Sequence, residues 1–170
     1  MKRRRLIQVG ALVVGTITLC CGGFYGYGTA LPEAHSATMS TTVPAPPAEV
    51  FALISDPMRA AEWRSDVTSV SSLGVVDGLP RYLEQGWDPL TIEIRASEAP
   101  TRLVSAVVDH PDFGGTWTWQ LEPVEGGTEV TVTEDGEIYN PIFRVFMVHV
   151  FGETATMEGH LHALERHFGG

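Results

Sequence analysis

From Thr116 to Gly136 the chain reads TWTWQLEPVEGGTEVTVTEDG, with polar and bulky positions alternating at a period of two on both sides of a glycine-rich turn. That pattern predicts two antiparallel strands. Closing them with Val124-Glu125-Gly126-Gly127 as a four-residue loop sets Trp119 opposite Val132 and Trp117 opposite Glu134. A carboxylate then shares one face with Trp117, Trp119, Leu121, Val130 and Val132. Upstream, strand-like runs cover residues 67–73, 81–86, 90–97 and 102–110, separated by turn signals at Asp77-Gly78, Asp88-Pro89, Pro100 and Pro111 with Gly114-Gly115. Connections this short favour antiparallel neighbours. Leu90, Ile92, Ile94 and Ala96 alternate with Thr91, Glu93 and Arg95, which describes a sheet with one wet side and one side that needs a cover.

Residues 37–43 predict a further strand, and PAPPAEVFALI a short proline-started helix with Val50, Phe51 and Ile54 on one face. Asp56-Pro57, an aspartate cap before a proline, starts a second short helix that ends near Trp63 and Arg64. The cover for the sheet is NPIFRVFMVHVFGETATMEGHLHALERHFGG. Asn140 is a good cap, Pro141 fits the first turn, and a single helix of about 28 residues would reach about 40 Å. Phe143, Phe146, Val150, Met157, Leu161, Leu164 and Phe168 fall on one stripe at helical spacing. Gly152 and Gly159 interrupt it at a cost of about 1 kcal/mol each relative to alanine, marking either a bend or sequence drift.

The opening residues change the picture. A basic cluster, Lys2 to Arg5, precedes an apolar run from Leu6 to about Tyr25, so residues 1–30 read as a membrane anchor or a signal segment and 31–36 as a linker to one domain spanning 37–170. The apolar length favours a retained anchor. Basic residues at the N-terminal end would place the domain on the extracytoplasmic side, and Ala34-His35-Ser36 keeps secretion after cleavage open. The chain has 170 residues, 44% of them hydrophobic, and a formal net charge of −10. Outside the basic cluster only seven arginines face 21 acids, leaving about −14 on the rest. With no basic stripe to neutralise phosphates, nucleic-acid binding is excluded as a main function. Both cysteines, Cys20 and Cys21, sit in the apolar run, so the domain has no thiol chemistry. Motifs for phosphate-binding loops, serine-hydrolase elbows and zinc proteases are absent, and nothing indicates a metal or other cofactor.

The order strand, two short helices, antiparallel strands and one long C-terminal helix resembles the helix-grip superfamily of START-like lipid-transfer domains, the birch-pollen allergen family and the polyketide cyclase/dehydrase group. The residues that carry it are VPAPPAEVFALISDPMRAAEW, FGGTWTWQLEPVEGGTEVTVTEDGEI and NPIFRVF, and it covers roughly residues 37–168. The resemblance implies an α+β fold, a curved antiparallel sheet wrapped around the long helix, with a cavity between them. It does not decide activity.

Within that frame Trp63, Trp117, Trp119, Glu134, Phe146, Val150, Glu153 and Met157 are the expected ligand-binding residues. A buried unpaired carboxylate is costly, so an inward Glu134 reads as a ligand-orienting group; a bulge or a wet strand end would instead turn it to solvent. His149 and Glu153, one turn apart, are either an acid–base pair, two metal ligands lacking a third, or half-solvated rim residues beside His160 and His167. Trp63 is placed by the resemblance near the cavity mouth, as gate or as hydrophobic plug, and Trp87 lies on a turn. The preferred function is a membrane-tethered binding or carrier domain holding a lipid-like or polyketide-like molecule. The alternative is a cyclase or dehydratase in which Glu134, or His149 with Glu153, moves a proton.

Overall fold

The computed structural model describes residues 22–169 apart from residue 153. Seven strands, β1 (Ala34–Val43), β2 (Val67–Val76), β3 (Leu79–Gly86), β4 (Leu90–Glu98), β5 (Arg102–Val108), β6 (Phe113–Val124) and β7 (Gly127–Ile138), form one sheet in the order β1-β7-β6-β5-β4-β3-β2. Every neighbouring pair is antiparallel. The central hairpin has the register that the alternation demands, Trp119 with Val132 and Trp117 with Glu134. Its turn is tighter than the predicted loop: Val124 pairs with Gly127, and Gly126, at φ 93°, takes the left-handed position that glycine tolerates.

Two features of the strands differ from expectation. β1 begins at Ala34, so residues 34–36 are strand and not linker, pairing with Glu137, Gly136 and Asp135. In β4 the register slips between Ile94 and Ala96, with Ile94 opposite Ser105 and Ala96 opposite Val104. The extra residue, Arg95, shifts the pleat, so Ala96 leaves the face it was predicted to share with Ile94.

Between β1 and β2 lie α2 (Pro47–Ile54), a 3-10 turn (Pro57–Arg59) and α3 (Ala60–Trp63). The Asp56 carboxylate accepts from the Met58 amide at 3.0 Å, capping the turn. After β7, Asn140 caps α4 (Pro141–Phe146) by accepting from the amides of Ile142 and Phe143 at 3.0 and 3.4 Å. The predicted single helix does not follow. Residues Met147–Phe151 wind as a π-helix, Gly152 at φ 83° and ψ 149° ends the run, and α5 (Ala155–Gly169) starts afresh. A π turn advances fewer degrees per residue than an α turn, and Gly152 breaks the axis, so the stripe drawn through Phe146 and Val150 does not continue into Met157.

The core gathers Val43, Val50, Leu53, Leu121, Val130, Val132, Met157, Leu161 and Leu164, from β1, α2, β6, β7 and α5. Burying side chains of this size contributes about 1.5–3 kcal/mol each. This closes one end of the sheet on α5, where the Thr41 hydroxyl also donates to Glu165. Gly159 lies on the exposed side of α5 with nothing within 4 Å of where a Cβ would stand. Gly159→Ala is therefore expected to raise stability by about 1 kcal/mol, and an unchanged or lower urea midpoint would contradict that placement.

Residues 22–30 are helical (α1) and rest on the C-terminal segment, with Phe24 5.9 Å from Phe146 between ring centroids and Gly28 against the Pro141 carbonyl. Arg144, buried, binds this junction by donating to the Ile138 and Tyr139 carbonyls and to Glu33. The basic cluster and most of the apolar run, residues 1–21, lie outside the described residues. Among the described residues no helix is long and apolar enough to cross a membrane.

Candidate ligand cavity

Where the sheet curves away from α3, α4 and α5, the two layers do not meet, and a cavity of about 310 Å³ remains. That lies at the lower end of the range for small-molecule sites. Its sheet wall is built by period-two alternation: Leu90, Ile92 and Ile94 of β4, Leu103 and Ser105 of β5, Trp117 and Trp119 of β6. Its helical wall is Trp63, Phe143, Met147 and His160.

An aromatic box stands at its centre. The His160 ring lies 4.9 Å from Trp117, 6.2 Å from Trp119 and 6.0 Å from Trp63, and Trp63 meets Trp119 edge-on at 6.3 Å. Burial pushes the imidazole down to about 3, assisted by the positive charge of Arg64, so His160 is neutral at physiological pH. Neither ring nitrogen has a hydrogen-bond partner. His160 was expected on the rim of a straight helix. Restarting the helix at Ala155 puts it on the inner stripe with Met157, Leu161 and Leu164, at i, i+3, i+4 and i+7.

Glu134 faces this space from β7, its side chain 17% exposed. Burial pushes its carboxyl up to about 7. The group beside it is His35 of β1, with Nε2 3.7 Å from Glu134 Oε1. That is beyond hydrogen-bonding distance, and both Glu134 Oε2 and His35 Nε2 are buried without a partner. His35 can occupy this position because the residue opposite it is Gly136, where a Cβ would run into the imidazole. The sequence reading assigned His35 to a linker and missed it. The signal was present as the inward alternation of His35, Ala37 and Met39.

A second polar group closes the other end. Arg64, just past α3, donates from Nη1 to both Glu84 oxygens at 3.1 and 2.9 Å and from Nη2 to Asp66 at 2.6 Å. Burial opposes charge on the guanidinium, but its hydrogen bond to Asp66 and the charges of the two carboxylates outweigh it and raise its pKa further. For Glu84, burial prevails over Arg64 and the carboxyl is raised. On the opposite, outer face of the sheet, Glu93 is buried under Arg81 and Arg95. Burial there works against ionisation, yet the arginine hydrogen bonds prevail and hold the carboxyl below its usual range.

Of the residues expected to bind ligand, Trp63, Trp117, Trp119 and Glu134 line the cavity. Met157 is fully buried in the core beneath it and does not line it. Phe146 and Val150 lie outside it, 41% and 65% exposed: Phe146, the last residue of α4, turns toward Phe24 of α1, and Val150 lies within the π turn on the outer surface. His149 is also outside, with Nε2 2.9 Å from the Tyr27 hydroxyl, so it is not part of a cavity acid–base pair. Glu153 lies outside the described residues. Among the described residues no group of three or more metal-ligating side chains converges. Trp87 stands at the cavity rim, 93% exposed.

A curved seven-stranded antiparallel sheet with a C-terminal helix and an apolar cavity between them defines an α+β protein of the helix-grip class. The chain belongs to the polyketide cyclase/dehydrase and lipid transport family, whose model matches residues 34–169. Among solved structures, the Zhui aromatase/cyclase from Streptomyces sp. R1128 aligns at 15% identity over 80% of this chain and 94% of that one, with a TM-score of 0.64. A START superfamily protein from Mycobacterium smegmatis aligns at 14% identity over 79% and 97%, with a TM-score of 0.63. The di-domain ARO/CYC BexL of the BE-7585A biosynthetic pathway aligns at 15% identity over 85% of this chain, TM-score 0.63, and the chain spans only 53% of its length. These identities establish a shared fold alone. No curated protein matches the sequence.

Proposed function

We propose that the domain binds a hydrophobic small molecule, lipid-like or polyketide-like, in the cavity between its sheet and its C-terminal helical segments. The observation that carries this is the cavity itself: apolar walls and three tryptophans surround a few polar groups left without partners, which is the composition of a ligand site and not of a filled core. Tethering to a membrane through the apolar N-terminal run, with the domain on the extracytoplasmic side, would bring it to a natural source of such ligands. The aromatic residues Phe24, Tyr25 and Tyr27 of α1, exposed where that run enters the domain, suit a bilayer interface.

A second reading has its own support. A carboxyl with a pKa of about 7, unpaired and beside an imidazole, is poised to give or take a proton, and two of the similar structures are named as aromatase/cyclases or ARO/CYC proteins. In that reading the domain is a cyclase or dehydratase with Glu134 as the proton-transfer group.

Ser105, opposite Trp117 across β5 and β6, offers the test of binding. Ser105→Phe should fill the cavity and weaken binding of an environment-sensitive naphthalene dye by about tenfold or more while the protein stays folded. Equal affinity in a folded variant would mean that the dye binds elsewhere. If the protein turns over a polyketone, Glu134→Gln should abolish turnover and keep binding; retained turnover would remove the enzymatic role from Glu134.

A further inference from the structure

We infer that the cavity is built for a ligand that carries a protonated amine on an apolar, aromatic-sized body, and that it rejects carboxylate and phosphate ligands of the same shape. This rests on the cavity being a ligand site.

The case begins with the cations. Arg64 is the one arginine among the described residues that line the cavity, and no lysine does. All its nitrogens are committed: Nε and Nη2 to Asp66, and Nη1 to Glu84. His160 brings no charge to the space. His35, the other histidine of the lining, stands beside the Glu134 carboxylate, so a ligand anion entering here would meet no cationic group that is not already beside a carboxylate, which is the arrangement that excludes it.

The carboxylates are unequal. Asp66 and Glu84 are held by Arg64, Asp88 lies 3.2 Å from His110, Glu137 accepts from the Tyr139 hydroxyl, and Asp56 caps a helical turn. Glu134 has His35 beside it, Nε2 3.7 Å from Oε1 and beyond hydrogen-bonding distance, and no hydrogen-bond partner on Oε2. An ionised carboxylate only accepts hydrogen bonds, so its buried, unpartnered Oε2 requires a donor that the chain does not supply. An ammonium group supplies one with compensating charge, and a charge-assisted bond of that kind is worth more than a neutral one.

The walls around that acceptor agree. Trp117 stands directly opposite Glu134 in the β6–β7 ladder, with Trp119 beside it at 6.2 Å and Trp63 across the box. Indole faces attract cations, most strongly where water is excluded. His160, with neither nitrogen hydrogen-bonded and Nε2 no closer than 4.0 Å to Asp66, is an independent sign that a polar ligand atom completes the site, since a neutral imidazole offers one donor and one acceptor.

The test compares three probes of one shape on the full chain at pH 8: 1-naphthylmethylamine, 1-naphthylmethanol and 1-naphthoate, followed by tryptophan fluorescence. The amine is expected to bind about tenfold tighter than the alcohol or better, and the naphthoate at least about tenfold weaker than the alcohol. In Glu134→Gln the amine should fall to within about threefold of the alcohol, and a urea midpoint at or above that of the native chain reports that the variant is folded. Naphthoate binding as well as the amine, or an amine preference that survives in Glu134→Gln, overturns the inference. Alcohol binding with no preference for the amine overturns it too and leaves the cavity reading standing. Binding of none of the three overturns both.

Discussion

Replacing Arg64 with alanine is expected to cost about 3–5 kcal/mol of folding stability at pH 8, the penalty of leaving a buried charge without its partner. Arg64 and Glu84 are 12% and 8% exposed, and their forked hydrogen bonds join the end of α3 to β3 at one end of the cavity. Removing the guanidinium leaves the Glu84 carboxylate in a space that burial already makes unfavourable for its charge. Asp66, 58% exposed, is rescued by water and adds little. The sign with pH follows from the direction of the Glu84 shift. A carboxyl whose folded pKa is raised binds a proton more readily in the folded than in the unfolded state, so its cost is absent at low pH and grows as pH rises. The loss in Arg64→Ala should therefore shrink toward pH 5, and Arg64→Ala with Glu84→Gln should recover part of it. Urea unfolding of the two variants decides this. A loss below about 1 kcal/mol, or a double variant worse than the single changes added together, would show that the pair is not the anchor described.

Glu134→Gln is expected to act in the opposite direction. Raising the carboxyl from 4.5 to about 7 means that the folded protein retains a proton which the unfolded chain releases over that interval. Stability therefore falls as pH rises from about 4.5 to about 7, and above that the native protein carries a penalty on the order of 2–3 kcal/mol. Glutamine has the same shape and no charge, so the variant should be more stable than the native chain by that amount at pH 8 and equal to it near pH 4. His35 is the group close enough to offset the effect, and at 3.7 Å without a hydrogen bond its offset is small. Unfolding midpoints across this range check the crossing. A variant less stable at pH 8 would mean that the carboxylate is satisfied in the folded state. The same substitution thus gains stability while losing the proposed ligand contact, as expected where burial strain is kept for a site.

How much of this was legible beforehand depended on whether a feature was local. The hairpin was, because period-two alternation plus a glycine turn fixes register, and register alone decides that Glu134 faces inward with the tryptophans. The caps at Asp56 and Asn140 were local too. The C-terminal segment was not. Its hydrophobic stripe fits one straight helix, and nothing in Met147–Phe151 distinguishes a π turn from an α turn. Five residues of altered phase and the break at Gly152 were enough to move Val150 outward and His160 inward. The Arg64–Glu84 pair joins residues twenty positions apart on an α-helical end and a strand, a contact that only the fold creates. Glu84 had a local clue, since it follows Tyr82 and Arg81 in a strand of mixed polarity, but which face was dry could not be read from β3 alone. His35 was hidden by a wrong boundary: once β1 starts at Ala34, its inward alternation and the glycine opposite make the position plain.

The measurement that bears most directly on a cavity made to hold a guest is native mass spectrometry of the full chain purified gently from its own host. A non-covalent excess mass that leaves on denaturation and proves to be an apolar small molecule is the predicted result. A bare chain whose mass stays unshifted after incubation with 1-naphthylmethanol would contradict it.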